Sequence, residues 1–137
     1  MLKNSFKSVE LLAPAGNFEK LEFALHYGAD AVYLGGHDFS LRNFAQNFSL
    51  DEMEAAISLA HSRGAKLYVA VNLLARNCDI APIETYLNRL CQLCPDGIII
   101  ADPAVIALSR KIAPQIPIHL STQASTTNFA AADFWHA

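Results

Sequence analysis

Short apolar runs alternate with amphipathic stretches along this chain, and that alternation restricts the fold more than any other feature. The first module, Glu10 to Gly36 (ELLAPAGNFEKLEFALHYGADAVYLGG), shows the pattern complete. Leu11 to Ala13 is an apolar run stopped by Pro14, and Gly16 supplies a tight turn into a helix capped by Asn17. Phe18, Leu21, Ala24 and Leu25 then recur at helical spacing, with Glu19, Lys20, Glu22 and His26 facing outward, until Gly28 ends the helix. Ala31 to Leu34 reads as the second strand. Gly35 and Gly36 after it leave the backbone free for close approach by a ligand.

The same architecture recurs downstream without sequence identity. A polar loop, His37 to Asn47, carries Arg42 and Asn43, after which Ser49 and Glu52 form a capping box for a helix through Met53, Ile57, Ala60 and His61 to Gly64. Lys66 to Asn72 (KLYVAVN) is apolar enough to predict a strand buried on both faces, as in a parallel sheet. A third helix is expected from Ala81 or Pro82, with Ile83, Tyr86, Leu87, Leu90 and Leu93 inward, ending before Pro95. Gly97 to Ala101 is the fourth strand; Asp102 caps a helix with Pro103 at its first position, where a missing N–H costs nothing. Ile118 to Thr122 is the fifth strand, and Asn128 caps a last helix containing Phe134 and Trp135.

Five βα units in series imply an α/β fold with parallel strands. A doubly wound open sheet is complete within five strands, whereas a (β/α)8 barrel of about 250 residues needs about three more units. Because the sequence stops at His136-Ala137 inside a helical pattern, we expect a truncated piece of a longer protein.

Composition narrows the function classes. With 137 residues, 53% hydrophobic, the chain can build one folded core. A formal charge of −3 without a basic run argues against autonomous RNA binding. No apolar run approaches the roughly 18 residues of a membrane span. Three cysteines and a terminus without an apolar signal core point to a reduced, cytoplasmic setting.

The segments ELLAPAGNFEKLEFALHYGADAVYLGG, FSLRNFAQNFSLDEM, AHSRGAKLYVAVN and DGIIIADPAVIALSRKIAPQIPIHLSTQASTTN, in that order, resemble the N-terminal part of the U32 peptidase family, also called collagenase-like. The resemblance covers the chain from Glu10 onward. It implies that residues 1–137 are one partial TIM-barrel-like domain. Family members are named proteases, and others are implicated in oxygen-independent hydroxylation of tRNA uridine, ribosomal RNA or a ubiquinone precursor. GGHDFSLRNFAQNF and LSTQAS look nearest to the tRNA branch, which implies prephenate as oxygen donor and tRNA as partner. The resemblance also implies an iron–sulfur cluster on cysteines downstream of this segment, and so no cofactor held by residues 1–137 themselves.

Working groups of a parallel α/β fold sit beyond the C-terminal ends of its strands. Those positions give Gly16, Gly35, Gly36, Asn72, Asp102, Ser121 and Gln123 as substrate-binding candidates, with Arg42 and Asn43 reaching over the same rim. An Arg fork suits a small dicarboxylate. Against these readings stand simpler ones: Asp102 as an N-cap, Asn72 as an Asx turn, Arg42 paired with Asp38 or in solvent, and His119 as a satisfied core histidine. His119, Ser121 and Gln123 are expected to alternate onto one strand face. Cys91 and Cys94 form a C-x-x-C inside a helix, with no second pair to complete a metal site, and are expected to be buried structural thiols. No HExxH or GxSxG motif is present, so no catalytic residue is assigned and peptide hydrolysis stands on the family name alone. A third expectation is non-enzymatic: a half-barrel that forms homo-oligomers through an open sheet edge.

Overall fold

A computed structural model describes residues 9–36 and 48–136 of the chain. Five parallel strands alternate with five helices: β1 (Leu12–Pro14), α1 (Phe18–His26), β2 (Ala31–Gly35), α2 (Leu50–Ser62), β3 (Lys66–Val71), α3 (Ile80–Leu93), β4 (Gly97–Ile100), α4 (Pro103–Ile112), β5 (Ile118–Leu120) and α5 (Phe129–His136). The strands lie side by side in chain order, each parallel to the one before.

That order separates the two architectures left open by the sequence. A doubly wound sheet reverses its strand order and carries helices on both faces. Here the order never reverses, and Leu21, Met53, Ile57, Ile83, Leu87 and Val105 of four helices join Val32, Leu34, Leu67, Val69, Ile98 and Ile100 of the sheet in one apolar core. All of that core lies on one face. The opposite face, bearing Tyr33, Tyr68, Ile99 and His119, borders an open cavity instead. One helix-covered face and one inward face are the layout of a barrel wall.

Local chemistry explains the element boundaries. Asn17 Oδ1 accepts from the Lys20 amide at 2.9 Å, and Ser49 and Glu52 complete the capping box at 2.8 and 3.2 Å. Gly28 and Gly64 follow α1 and α2 with φ of +89° and +70°, conformations that side chains other than glycine's rarely adopt. Asn128 Oδ1 receives the Ala131 amide at 2.9 Å at the head of α5. Two boundaries differ from the sequence reading. Helix α3 starts at Ile80, after a 3-10 turn over Asn77–Asp79 whose Asp79 carboxylate receives the Arg76 amide at 2.8 Å. Strand β5 ends at Leu120, because Ser121 caps a 3-10 turn over Thr122–Ala124. The last turn of α3 closes on Cys94 in a left-handed conformation, φ 52°, just before Pro95.

That last boundary corrects the cysteines. Cys94 is exposed and Cys91 only half-buried, so neither is a core thiol. Cys91 Sγ accepts from Gln115 Nε2 at 2.8 Å, and the Cys94 thiol donates to the Cys91 carbonyl at 3.2 Å. Cys91 lies in the last turn of α3 at the margin of the core, and Cys94 lies just past the end of the helix.

Candidate functional site

The inward face of the sheet forms one wall of a cavity of about 390 Å³, within the ~300–1,000 Å³ range of small-ligand sites. The alternation of β3 sets its centre. Leu67, Val69 and Val71 point to the helices, which leaves Tyr68 and Ala70, and beyond the strand Asn72, on the cavity side. Tyr33 is the register partner of Tyr68 on β2, and Ile99 is paired with Ala70 and with His119 on the other side. The wall is therefore apolar and aromatic, with polar groups gathered toward the strand ends.

Tyr68 is fixed from both sides. Its hydroxyl donates to Glu10 Oε1 at 2.8 Å, and Lys66 Nζ donates to Glu10 Oε2 at 2.7 Å. These two hydrogen bonds, from Lys66 first and Tyr68 second, hold the Glu10 carboxyl below its ordinary range. Burial, followed by the hydrogen bond to Glu10, pushes the Tyr68 phenol up. The Tyr68 ring packs on the His119 imidazole, with centroids 4.7 Å apart and planes tilted by 41°. Gly97 makes room for that pair, because a Cβ there would lie 2.9 Å from the imidazole and 3.1 Å from the tyrosine ring. His119 is thus an exposed cavity residue, not the enclosed core histidine expected; among the described residues no helix covers the inward face on which it stands.

At the rim, Asn72 Nδ2 donates to Ser121 Oγ at 3.0 Å, and the Gln123 amide donates to the same oxygen at 3.3 Å. Ser121 is 6% exposed. With two donors directed at its oxygen, its own O–H remains available to a third group. Asn72 Oδ1 is buried and meets no donor among the described residues. Gln123 lines the cavity from the 3-10 turn, not from a strand position alternating with His119 and Ser121.

The remaining candidates fall elsewhere. Asp102 is committed to the backbone: Oδ1 accepts from Ala104 and Val105 at 2.8 and 3.2 Å, and Oδ2 accepts from Ala75 at 3.1 Å. It caps α4 and ties the segment after β3 to the end of β4, the structural reading. Gly36 is buried, and a Cβ on it would lie 2.5 Å from the Tyr86 hydroxyl and 2.9 Å from Met53 Cε, so helix packing demands the glycine. Gly35 pairs with Ala70 and is buried, while Gly16 sits half-buried between β1 and the α1 cap. Arg42 and Asn43 lie outside the described residues. Sequence reasoning missed Tyr33 and Tyr68, although the period-two series Lys66, Tyr68, Ala70, Asn72 marked a polar-tipped face.

Comparison with known proteins decides the family. The family model for peptidase family U32 matches residues 16–137. The chain belongs to that family. It is 47% identical to tRNA hydroxylation protein P1 of Bacillus subtilis over 94% of this chain and 31% of that protein. It is 40% identical to tRNA hydroxylation protein P of Escherichia coli, over 92% and 28%. A 23S rRNA 5-hydroxycytidine synthase of Escherichia coli is 33% identical over 92% and 19%. The U32 chain thus spans less than a third of the length of these relatives. Among solved structures, the U32 peptidase Mk0906 superposes with a TM-score of 0.76 at 15% identity, over 99% of this chain and 57% of that one. An HpcH/HpaI aldolase from Desulfitobacterium hafniense gives 0.52 at 12% identity, over 88% and 46%. At these identities the likeness is one of fold: parallel βα units of the TIM-barrel type.

An iron–sulfur cluster does not fit the residues seen here. No three His, Cys, Asp or Glu side chains converge as a metal site among the described residues, and the C-x-x-C stands alone.

Proposed function

We propose that this chain is the N-terminal sector of an oxygen-independent tRNA uridine hydroxylation enzyme, and that its inward face supplies part of the substrate pocket. The observation that carries this reading is the 47% identity with a tRNA hydroxylation protein, which extends over 94% of the chain and so includes every residue of the cavity wall. The oxygen donor in this reading is a small dicarboxylate of the prephenate type, with Arg42 and Asn43 as its candidate binding residues. An arginine fork binds a carboxylate in a bidentate manner. In this reading an iron–sulfur cluster would be held by cysteines outside residues 1–137 and would supply the redox chemistry of the whole enzyme. The residues of this chain bind and orient.

Peptide hydrolysis is supported by the family's name but not by the site. An activated serine needs an adjacent base. Ser121 Oγ instead receives an amide side chain and a backbone N–H.

The test uses the full-length protein in a strain lacking its own tRNA uridine hydroxylation. Mass spectrometry of tRNA nucleosides is expected to show uridine gaining one oxygen, including under anaerobic growth. Unchanged uridine, with the protein expressed and soluble, rejects the reading.

A further inference from the structure

The cavity wall discriminates between the two substrates of the proposed reaction. Its chemistry is aromatic and amide-like, and among the described lining residues it lacks a free cation. Tyr33, Tyr68 and His119 give planar faces, Ala70 and Ile99 an apolar floor, and Ser121 and Gln123 hydrogen-bonding groups along one border. Lys66, the cation near this wall, is tied to Glu10 at 2.7 Å, and the Glu10 carboxylate itself stands directly behind the Tyr68 hydroxyl. A dianionic donor placed against this wall would face that carboxylate with no unpaired positive charge among the described lining residues. A neutral, planar ring with an edge of donors and acceptors meets no such conflict. Bases taken out of a nucleic-acid stack are bound in this manner, between aromatic or imidazole faces and with amide or hydroxyl groups along their pairing edge.

We infer that the Tyr33–Tyr68–His119 wall receives the extruded pyrimidine base of the RNA, while the dicarboxylate donor binds outside this wall. The inference rests on the RNA-hydroxylation reading above and adds to it a division of labour within the site. His119 supplies the stacking face: Gly97 and Tyr68 fix its ring from below, and its other side is exposed to the cavity. The side-chain amide of Gln123 carries both a donor and an acceptor, and the Ser121 hydroxyl has a proton to give, so together they can satisfy the polar edge of a pyrimidine. The chain's net charge of −3 agrees with a pocket that reads a base and leaves phosphate contacts to other parts of the protein.

Two measurements on the full-length protein test this. In the first, tRNA carrying 4-thiouridine at the modified position is photocrosslinked and the attached peptide is mapped. Attachment to the peptides containing Tyr33, Tyr68 or His119 is the expected result, and attachment only elsewhere overturns the inference. In the second, His119→Ala is expected to raise KM for tRNA about tenfold, the scale of one lost base stack, while KM for the dicarboxylate moves less than about twofold. His119→Phe, which keeps a planar ring, restores most of the tRNA affinity. The reverse pattern, with the dicarboxylate KM raised and tRNA unaffected, puts the donor against this wall and overturns the inference while leaving RNA hydroxylation intact. A full-length protein that neither binds nor hydroxylates tRNA overturns both.

Discussion

Gly97 holds a position at which one methyl group would rearrange the cavity. A Cβ at 2.9 Å from the His119 ring and 3.1 Å from Tyr68 is too close to both rings, so one of them must move, and the exposed His119 ring is the freer of the two. Gly97→Ala is therefore expected to cost about 1–3 kcal/mol in urea unfolding and to push His119 away from Tyr68, which an NMR shift of the imidazole protons would report. A variant with unchanged stability and unchanged His119 resonances would contradict this packing. Sequence alone shows a glycine opening a strand; its partners come from strands 29 and 22 residues away in the chain and are visible only once the sheet is formed. Asp102 is the opposite case. Asp before Pro announces an N-cap, and two of its three bonds, the shortest among them, are cap bonds. Only its third bond, to Ala75, needed the tertiary structure.

At the level of the element, β3 carries most of what the site requires. Its apolar run announced a strand covered on both sides, and Leu67 to Val71 are all buried. What the run concealed was the pairing of its first residue: Lys66 and Tyr68 both reach Glu10, 56 and 58 positions away, and no local pattern encodes that. The pairing has a pH signature. Glu10 titrates below its ordinary value in the folded state, so its contribution is present above the ordinary carboxyl value of 4.5 and is lost as pH falls through the folded value. Lys66 and Tyr68 titrate above theirs, 10.5 and 10.0, so their contributions persist at neutral pH and are lost as pH rises through the folded values. Glu10→Gln should accordingly melt below the parent protein near neutrality, and the gap should close in acid. Because the pair is partly in water, added salt should narrow it as well. A gap independent of pH would show that Glu10 acts through something other than its charge. Strand β5 was read two residues too long for a related reason. Ser121 looks like a strand residue until its hydroxyl turns back to cap the Gln123 amide.

For the molecule as a whole, the alternating pattern predicted the parallel α/β class, and the apolar periodicity placed the helices within a few residues. Whether helices cover one face or two was not legible, because that depends on strand order, and strand order is a long-range property. Among the described residues, β1 and β5 are each paired on one side only, and Leu11 and Leu12 at the β1 edge are 57% and 42% exposed. Unpaired edges beside apolar side chains invite pairing between copies. The 137-residue chain is expected to show a concentration-dependent rise in mass by light scattering, abolished by Leu12→Lys on the edge. A clean monomer at high concentration would refute this. The run of strands in strict chain order also bears on synthesis. Each strand finds its partner in the βα unit just made, so a nascent chain emerging at ~5–20 residues per second can lay the sheet down from its N-terminal end, each new strand pairing with the one before it. At every stage the growing wall has two open edges, β1 at its start and the newest strand at its end.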